Sequence, residues 1–245
     1  MAELDSWTAS DFHHGKWTFP VYRKGTGPGV IVVHEMPGLT PAVLAFAQEV
    51  VDAGFTVAAP SMFGTPGRPV SVGYTMGTLG RLCVRSEFTK LALRRTSPVA
   101  DWLRALARSL HEELGGPGVG AVGMCFTGGF ALAMMADAPV AAPVVAQPSL
   151  PFPVSRERRG DLGLSPADLA SVKAKAADGC SVLGLRFADD PVVGTRFDTL
   201  RRELGDKFIA VEFPGRQHST LTEHRQQEGV DRVLAFFRDK LRPAA

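Results

Sequence analysis

The chain has 245 residues, 45% hydrophobic and 21% charged, with a formal net charge of +2. That balance gives no reason for a nucleic-acid or anionic-membrane partner, and no apolar run approaches the roughly 20 residues of a membrane span. Three cysteines (Cys83, Cys125 and Cys180), none in a CxxC pair, make neither a disulfide framework nor a zinc site.

The length suits one α/β domain over residues 1–245. The opening "MAELDSWTASDFHHGKW" carries acids and histidines where a signal peptide needs a basic end and an apolar core, so a cytoplasmic protein is expected. "KWTFPVYRKGTGPGVIVVHEM" predicts two strands joined by a Gly/Pro turn over 25–29, and "GVIVVH" is apolar throughout, as a strand covered on both faces should be. "PAVLAFAQEVVDAG" has helical spacing and a stop at Gly54, and "FTVAAP" is the next strand. Residues 61–90, rich in Gly, Pro and Ser in their first half, show no period and are expected to form a loop or lid. "SPVADWLRALARSLHEELGG" predicts a helix with Ser97 as its cap, Pro98 in its first turn and Gly115 at its end. Strands at "VGAVGM", "PVAAPVVAQ", "SVLGLRFA" and "FIAVEFP" alternate with helices at "TGGFALAMMADA", "SPADLASVKAKAADG", "TRFDTLRRELG" and "EGVDRVLAFFRDKL". The alternation predicts an α/β fold, a mostly parallel sheet with helices on both faces.

In such a sheet ligands gather at the carboxyl ends of the strands. Glu35 follows the first core strand, Cys125 follows "VGAVGM", Asp189 and Asp190 follow "SVLGLRFA", and His218 follows "FIAVEFP" and a Pro-Gly turn. "GMCFTGG" has the form of a nucleophile elbow, a sharp strand-to-helix turn that needs small residues around its tip. Gly123 lies two before Cys125, and Gly128 and Gly129 lie three and four after it. The new helix start favours a thiolate there. Cys83 and Cys180 are expected to be small buried residues. Asp190, directly before Pro191, is preferred to Asp189 as the acid, and nucleophile, acid and histidine then follow the chain order of α/β-hydrolases. His13, His14 and His111 are expected at the surface; His34 and His224 stay open.

"HEMPGL", "AAPSMFG", "GMCFTGG", "ADDPVV" and "GRQHS" together resemble the dienelactone hydrolase family, over most of the chain from about Val30 to the final helix. The resemblance implies a lactone or small-ester hydrolase with Cys125 as nucleophile, His218 as base, Asp190 as its orienter and Glu35 as acceptor of the thiol proton. It also implies an oxyanion hole from the backbone N–H groups of Met36 and Phe126. Two positions depart from the family pattern: Thr127 stands where a glycine is usual, and Thr222 stands where an arginine holds the substrate's carboxylate. Arg85 and Arg216 are the candidates to bind a carboxylate instead. No metal or organic cofactor is implied. The expected partner is a small lactone or ester, its carboxylate an open question, acted on by a monomer or small homo-oligomer with no nucleic acid and no membrane involved. A cyclase or lyase on the same scaffold, or a reactive-thiol protein, is the alternative.

Overall fold

In a computed structural model of the chain, described for residues 4–83 and 93–242, eight strands form one sheet in the order β1-β2-β4-β3-β5-β6-β7-β8. The strands are β1 (Thr8–His14), β2 (Trp17–Lys24), β3 (Gly29–Val33), β4 (Thr56–Pro60), β5 (Val119–Met124), β6 (Val140–Ala146), β7 (Val182–Phe187) and β8 (Phe208–Phe213). β1 and β2 are antiparallel and β2 is antiparallel to β4, while β3 to β8 all run parallel. β3 and β5 lie side by side at the centre.

The period of two along each strand divides the core into two layers. On β3, Val30 and Val32 face one layer with Val43, Phe46 and Val50 of α1 (Pro41–Asp52) and Val233 and Phe237 of α8 (Gln227–Leu241). Ile31 and Val33 face the other, with Trp102 and Leu103 of α3 (Val99–Leu114), the whole apolar length of α4 (Phe130–Asp137), Val172 of α6 (Pro166–Ala177) and Phe197 of α7 (Arg196–Leu204). α5 (Arg156–Arg159) is one turn, and α2 is Val72–Cys83.

Four expectations are corrected, for residues 61–90, the start of α3, Cys180 and His111, and one strand not expected, β1, is added. Residues 61–90, read as loop, contain α2. Glycines at 73, 77 and 80 cost about 1 kcal/mol each in helix propensity and mask its period. The helix forms because the Ser71 hydroxyl accepts the Tyr74 N–H at 3.2 Å and because Tyr74 and Thr78, four apart, are buried. Residues 84–90 lie outside the described residues. β1 pairs with β2 across the two-residue turn Gly15-Lys16; it is nearly all exposed, so no alternation marked it. α3 begins one residue later than expected, with Pro98 rather than Ser97 at the cap. Cys180 is half-buried rather than buried, near the carbonyls of Val140 and Ala141. His13 and His14 are exposed as expected and so is His224, whereas His111, expected at the surface, is half-buried with its Nδ1 enclosed.

Candidate active site

β5 ends at Met124, and Cys125 opens a short 3-10 turn (Cys125–Thr127) that leads into α4. Cys125 has φ 51°, a left-handed conformation that non-glycine residues rarely adopt and that marks a stored strain. The small residues around it are required by contact. A Cβ on Gly123 would come within 2.3 Å of the Thr127 carbonyl oxygen, and one on Gly128 within 2.5 Å of the Pro148 Cα. Thr127 is a clasp. Its buried hydroxyl accepts the Met124 N–H at 3.1 Å and lies within donating distance of the carbonyls of Val33, His34 and Met124, tying the ends of β5 and β3 together.

Two other strand ends bring up an acid and an imidazole. Asp190, 4% exposed after β7, accepts the Val192 N–H at 2.9 Å with one oxygen and bonds His218 Nδ1 at 2.5 Å with the other. Asp189 points to solvent. His218 follows β8 and is largely enclosed; among the described residues its buried Nε2 faces the Cys125 sulfur, which acts on the ring both by charge and as a hydrogen-bond partner. Burial alone would lower the His218 pKa. Cys125 and the Asp190 carboxylate, each through charge and a hydrogen bond, outweigh it and push the ring up to about 10.

Glu35 is 3% exposed, and among the described residues the groups that donate to it are neutral. Thr222 Oγ1 donates to one oxygen; Ser219 Oγ at 2.7 Å and, more weakly, Gln147 Nε2 at 3.5 Å donate to the other. Gln147 Oε1 in turn accepts from the N–H and hydroxyl of Thr220 at 3.2 and 2.7 Å. Burial raises the Glu35 pKa, with the hydrogen bonds and His218 pulling the other way. The carboxyl thus joins the β3 end to the loop that carries His218. His34, left open by the sequence, is a buried neutral ring: Nδ1 donates to the Glu35 carbonyl at 3.0 Å, Nε2 accepts the Met62 N–H at 3.1 Å, and burial lowers its pKa to about 4.

Phe126, buried, directly follows Cys125, and half-buried Met36 sits beyond the end of the neighbouring strand β3. Arg216 is exposed on the turn before His218, and Arg85 lies outside the described residues. Sequence reasoning passed over Ser149. Its N–H donates to the Cys125 carbonyl at 3.0 Å and its hydroxyl lies 3.6 Å from the sulfur. It follows β6 at the same sheet edge, so the strand-end rule applied to "QPS" would have found it. Arg196, fully buried, was also missed. Its guanidinium donates to the carbonyls of Pro151, Arg158, Asp161, Val192 and Val193 and so joins the acid turn to the loop after Ser149. Burial lowers its pKa to about 10. A cavity of about 820 Å3, lined by Arg94, Asp161, Leu164 and Thr199 among others, includes none of the residues around Cys125.

A parallel sheet, a strained turn between a central strand and a helix, and a histidine and acid delivered by later strand ends define an α/β-hydrolase. The model of the dienelactone hydrolase family matches residues 18–229. The chain belongs to that family, and is thereby an ester or lactone hydrolase. No curated protein matches it. Among solved structures it resembles a dienelactone hydrolase from Anabaena variabilis ATCC 29413, with 19% identity, TM-score 0.64, and 96% of this chain and 98% of that one covered. It also resembles P91, a dienelactone hydrolase-like promiscuous phosphotriesterase from metagenomic libraries (21% identity, TM-score 0.61, 97% and 100% covered). A third is a cold-adapted esterase from an Arctic intertidal metagenomic library (17% identity, TM-score 0.62, 96% and 93% covered). At these identities the likeness is one of fold.

Proposed function

We propose that the protein hydrolyses a lactone or small carboxylic ester through Cys125, His218 and Asp190. The observation that carries the reading is the His218 ring, fixed to buried Asp190 through Nδ1 at 2.5 Å while its other nitrogen is enclosed beside a cysteine in a strained turn. The Cys125 thiolate adds to the ester carbonyl carbon. The oxyanion is held by the N–H groups of Phe126 and Met36, and each such donor contributes about 3–4 kcal/mol in acyl-transfer sites. Protonated His218 gives its proton to the leaving oxygen, and the acyl group stays on sulfur as a thioester. Neutral His218 then takes a proton from water, the hydroxide oxygen attacks the thioester, and the carbon–sulfur bond breaks to release the acid and the thiolate.

Glu35 has two candidate roles. Its present partners, Thr222, Ser219 and Gln147, favour holding the His218 loop to β3. Taking the thiol proton, the role implied by the family resemblance, requires it to leave all three. Thr222 at the arginine position is engaged with Glu35, which favours a substrate without a carboxylate at that point; Arg85 and Arg216 are the remaining candidates for one.

A panel of lactones and aryl esters, read by the mass of an acyl adduct on the Cys125 peptide, tests the proposal. Cys125→Ala should fold normally and lose turnover to the uncatalysed level. Near-wild-type rates in that variant would remove Cys125 from the chemistry.

A further inference from the structure

Ser149 stands at the reacting sulfur and is fixed there from several sides. Its own N–H donates to the Cys125 carbonyl, and the N–H of Gln147, two residues before it, donates to the Leu185 carbonyl at 2.7 Å. Pro148 lies against Gly128, where no side chain fits, and the Pro151 carbonyl accepts from buried Arg196. The Ser149 side chain has no freedom to seek water, since the residue is 2% exposed. Among the described residues the one hydrogen-bond neighbour of its hydroxyl is the Cys125 sulfur, at 3.6 Å.

A buried hydroxyl with nothing to donate to costs free energy. A second buried donor, His218 Nε2, faces the same sulfur, which acts on the ring both by charge and as a hydrogen-bond partner. One acceptor answers both. A neutral thiol is a weak acceptor, whereas a thiolate accepts from both and makes each bond charge-assisted.

Resting on the reading of Cys125 as nucleophile, we propose that Ser149 is a further catalytic residue whose hydroxyl donates to the Cys125 sulfur when the thiol ionises and when the sulfur leaves the acyl group. On ionisation the Cys125 proton passes to His218 Nε2, so thiol and imidazole become thiolate and imidazolium with no change in net charge. In deacylation a water proton goes to His218, the water oxygen bonds to the acyl carbon, and the carbon–sulfur electron pair returns to sulfur, where the Ser149 O–H meets it. The titratable groups around this step are His218 on the β8 loop, Asp190 behind it on the β7 loop, and His34 and Glu35 at the end of β3. Ser149 itself does not titrate and acts by donation alone.

The test is the pH dependence of Cys125 alkylation by iodoacetamide in the full chain, read by mass on the Cys125 peptide so that Cys83 and Cys180 do not interfere. Ser149→Ala should raise the midpoint by about one pH unit, the size of one charge-assisted hydrogen bond, and slow deacylation about tenfold. Ser149→Thr, which keeps the hydroxyl, should return the midpoint toward wild type. An unchanged midpoint in Ser149→Ala overturns the proposal. The alkylation readout needs no turnover, so it stands apart from the function proposed above, which fails instead if Cys125→Ala still hydrolyses esters.

Discussion

Glu35→Gln swaps a buried carboxyl for an amide of the same shape, and the surroundings of Glu35 give the sign of the result. Burying an ionised carboxylate costs several kcal/mol. Each hydrogen bond to it returns about 1.5–3 kcal/mol. Glu35 has such bonds from Thr222 and Ser219, a long one from Gln147, and no cation bonded to it among the described residues. Burial therefore wins, and the pKa rises above its ordinary 4.5. A carboxyl raised in the folded state supports folding fully below its unfolded value and loses that contribution as pH rises through the folded one. The amide pays no such cost. Near pH 4.5 the two proteins should differ by only about 1 kcal/mol, a few degrees in Tm for a chain of this size. From there upward Glu35→Gln should gain on wild type. Calorimetry of both proteins just above pH 4.5 and at about pH 8 measures the change in the gap. A gap that moves against the glutamine variant as pH rises would falsify the burial argument. Alkylation of the same variant separates the two roles of Glu35. As an anchor it leaves the Cys125 rate near wild type; as proton acceptor its loss slows the reaction near neutrality, and raising the pH restores part of the rate.

Asp190→Asn should cut turnover by about 10³–10⁴ because it removes the partner that fixes the His218 tautomer, whereas exposed Asp189→Asn should change it little; the reverse ranking would move the acid to Asp189. His218 lies above its ordinary 6.5, at about 10, so its charged form supports the fold fully below pH 6.5 and that support fades as pH rises through 10. The Tm deficit of Asp190→Asn should accordingly shrink across that window, and a deficit constant with pH would contradict the assignment. Arg196→Met leaves five carbonyls without their donor, those of Pro151 and Val193 buried and the others partly so, and should cost about 3 kcal/mol or more, read as a lower midpoint in urea unfolding; an unchanged midpoint would mean the guanidinium contributes no net stability.

The frame of the site was legible because topology alone gathers strand ends. Cys125, Asp190, His218 and Glu35 each follow a strand in the parallel part of one sheet, and the glycines around Cys125 announce a turn that a Cβ would block. What stayed hidden depends on residues far apart in sequence. Nothing near Glu35 says that Ser219 and Thr222, more than 180 positions later, will supply its hydrogen bonds. Thr127 read as a departure from a glycine pattern, and only the approach of Val33 and His34 makes it a clasp. α2 escaped because its glycines weaken a period that Ser71 and Tyr74 rescue through contacts, and β1 escaped because an edge strand in water has no reason to alternate.

The Arg196 guanidinium has a consequence for how the site comes apart. Five carbonyls from three segments, Pro151 in the loop after Ser149, Arg158 of α5 with Asp161 just after it, and Val192 and Val193 in the turn after Asp190, converge on one cation, so none can peel away without losing its donor. Segments coupled in this way open as one cooperative unit. Amide hydrogens in the loop after Ser149 and in the turn after Asp190 then exchange with solvent through a shared opening event. Partial openings that free the acid while sparing the other loop are suppressed, and the geometry around the sulfur persists or is lost as a whole.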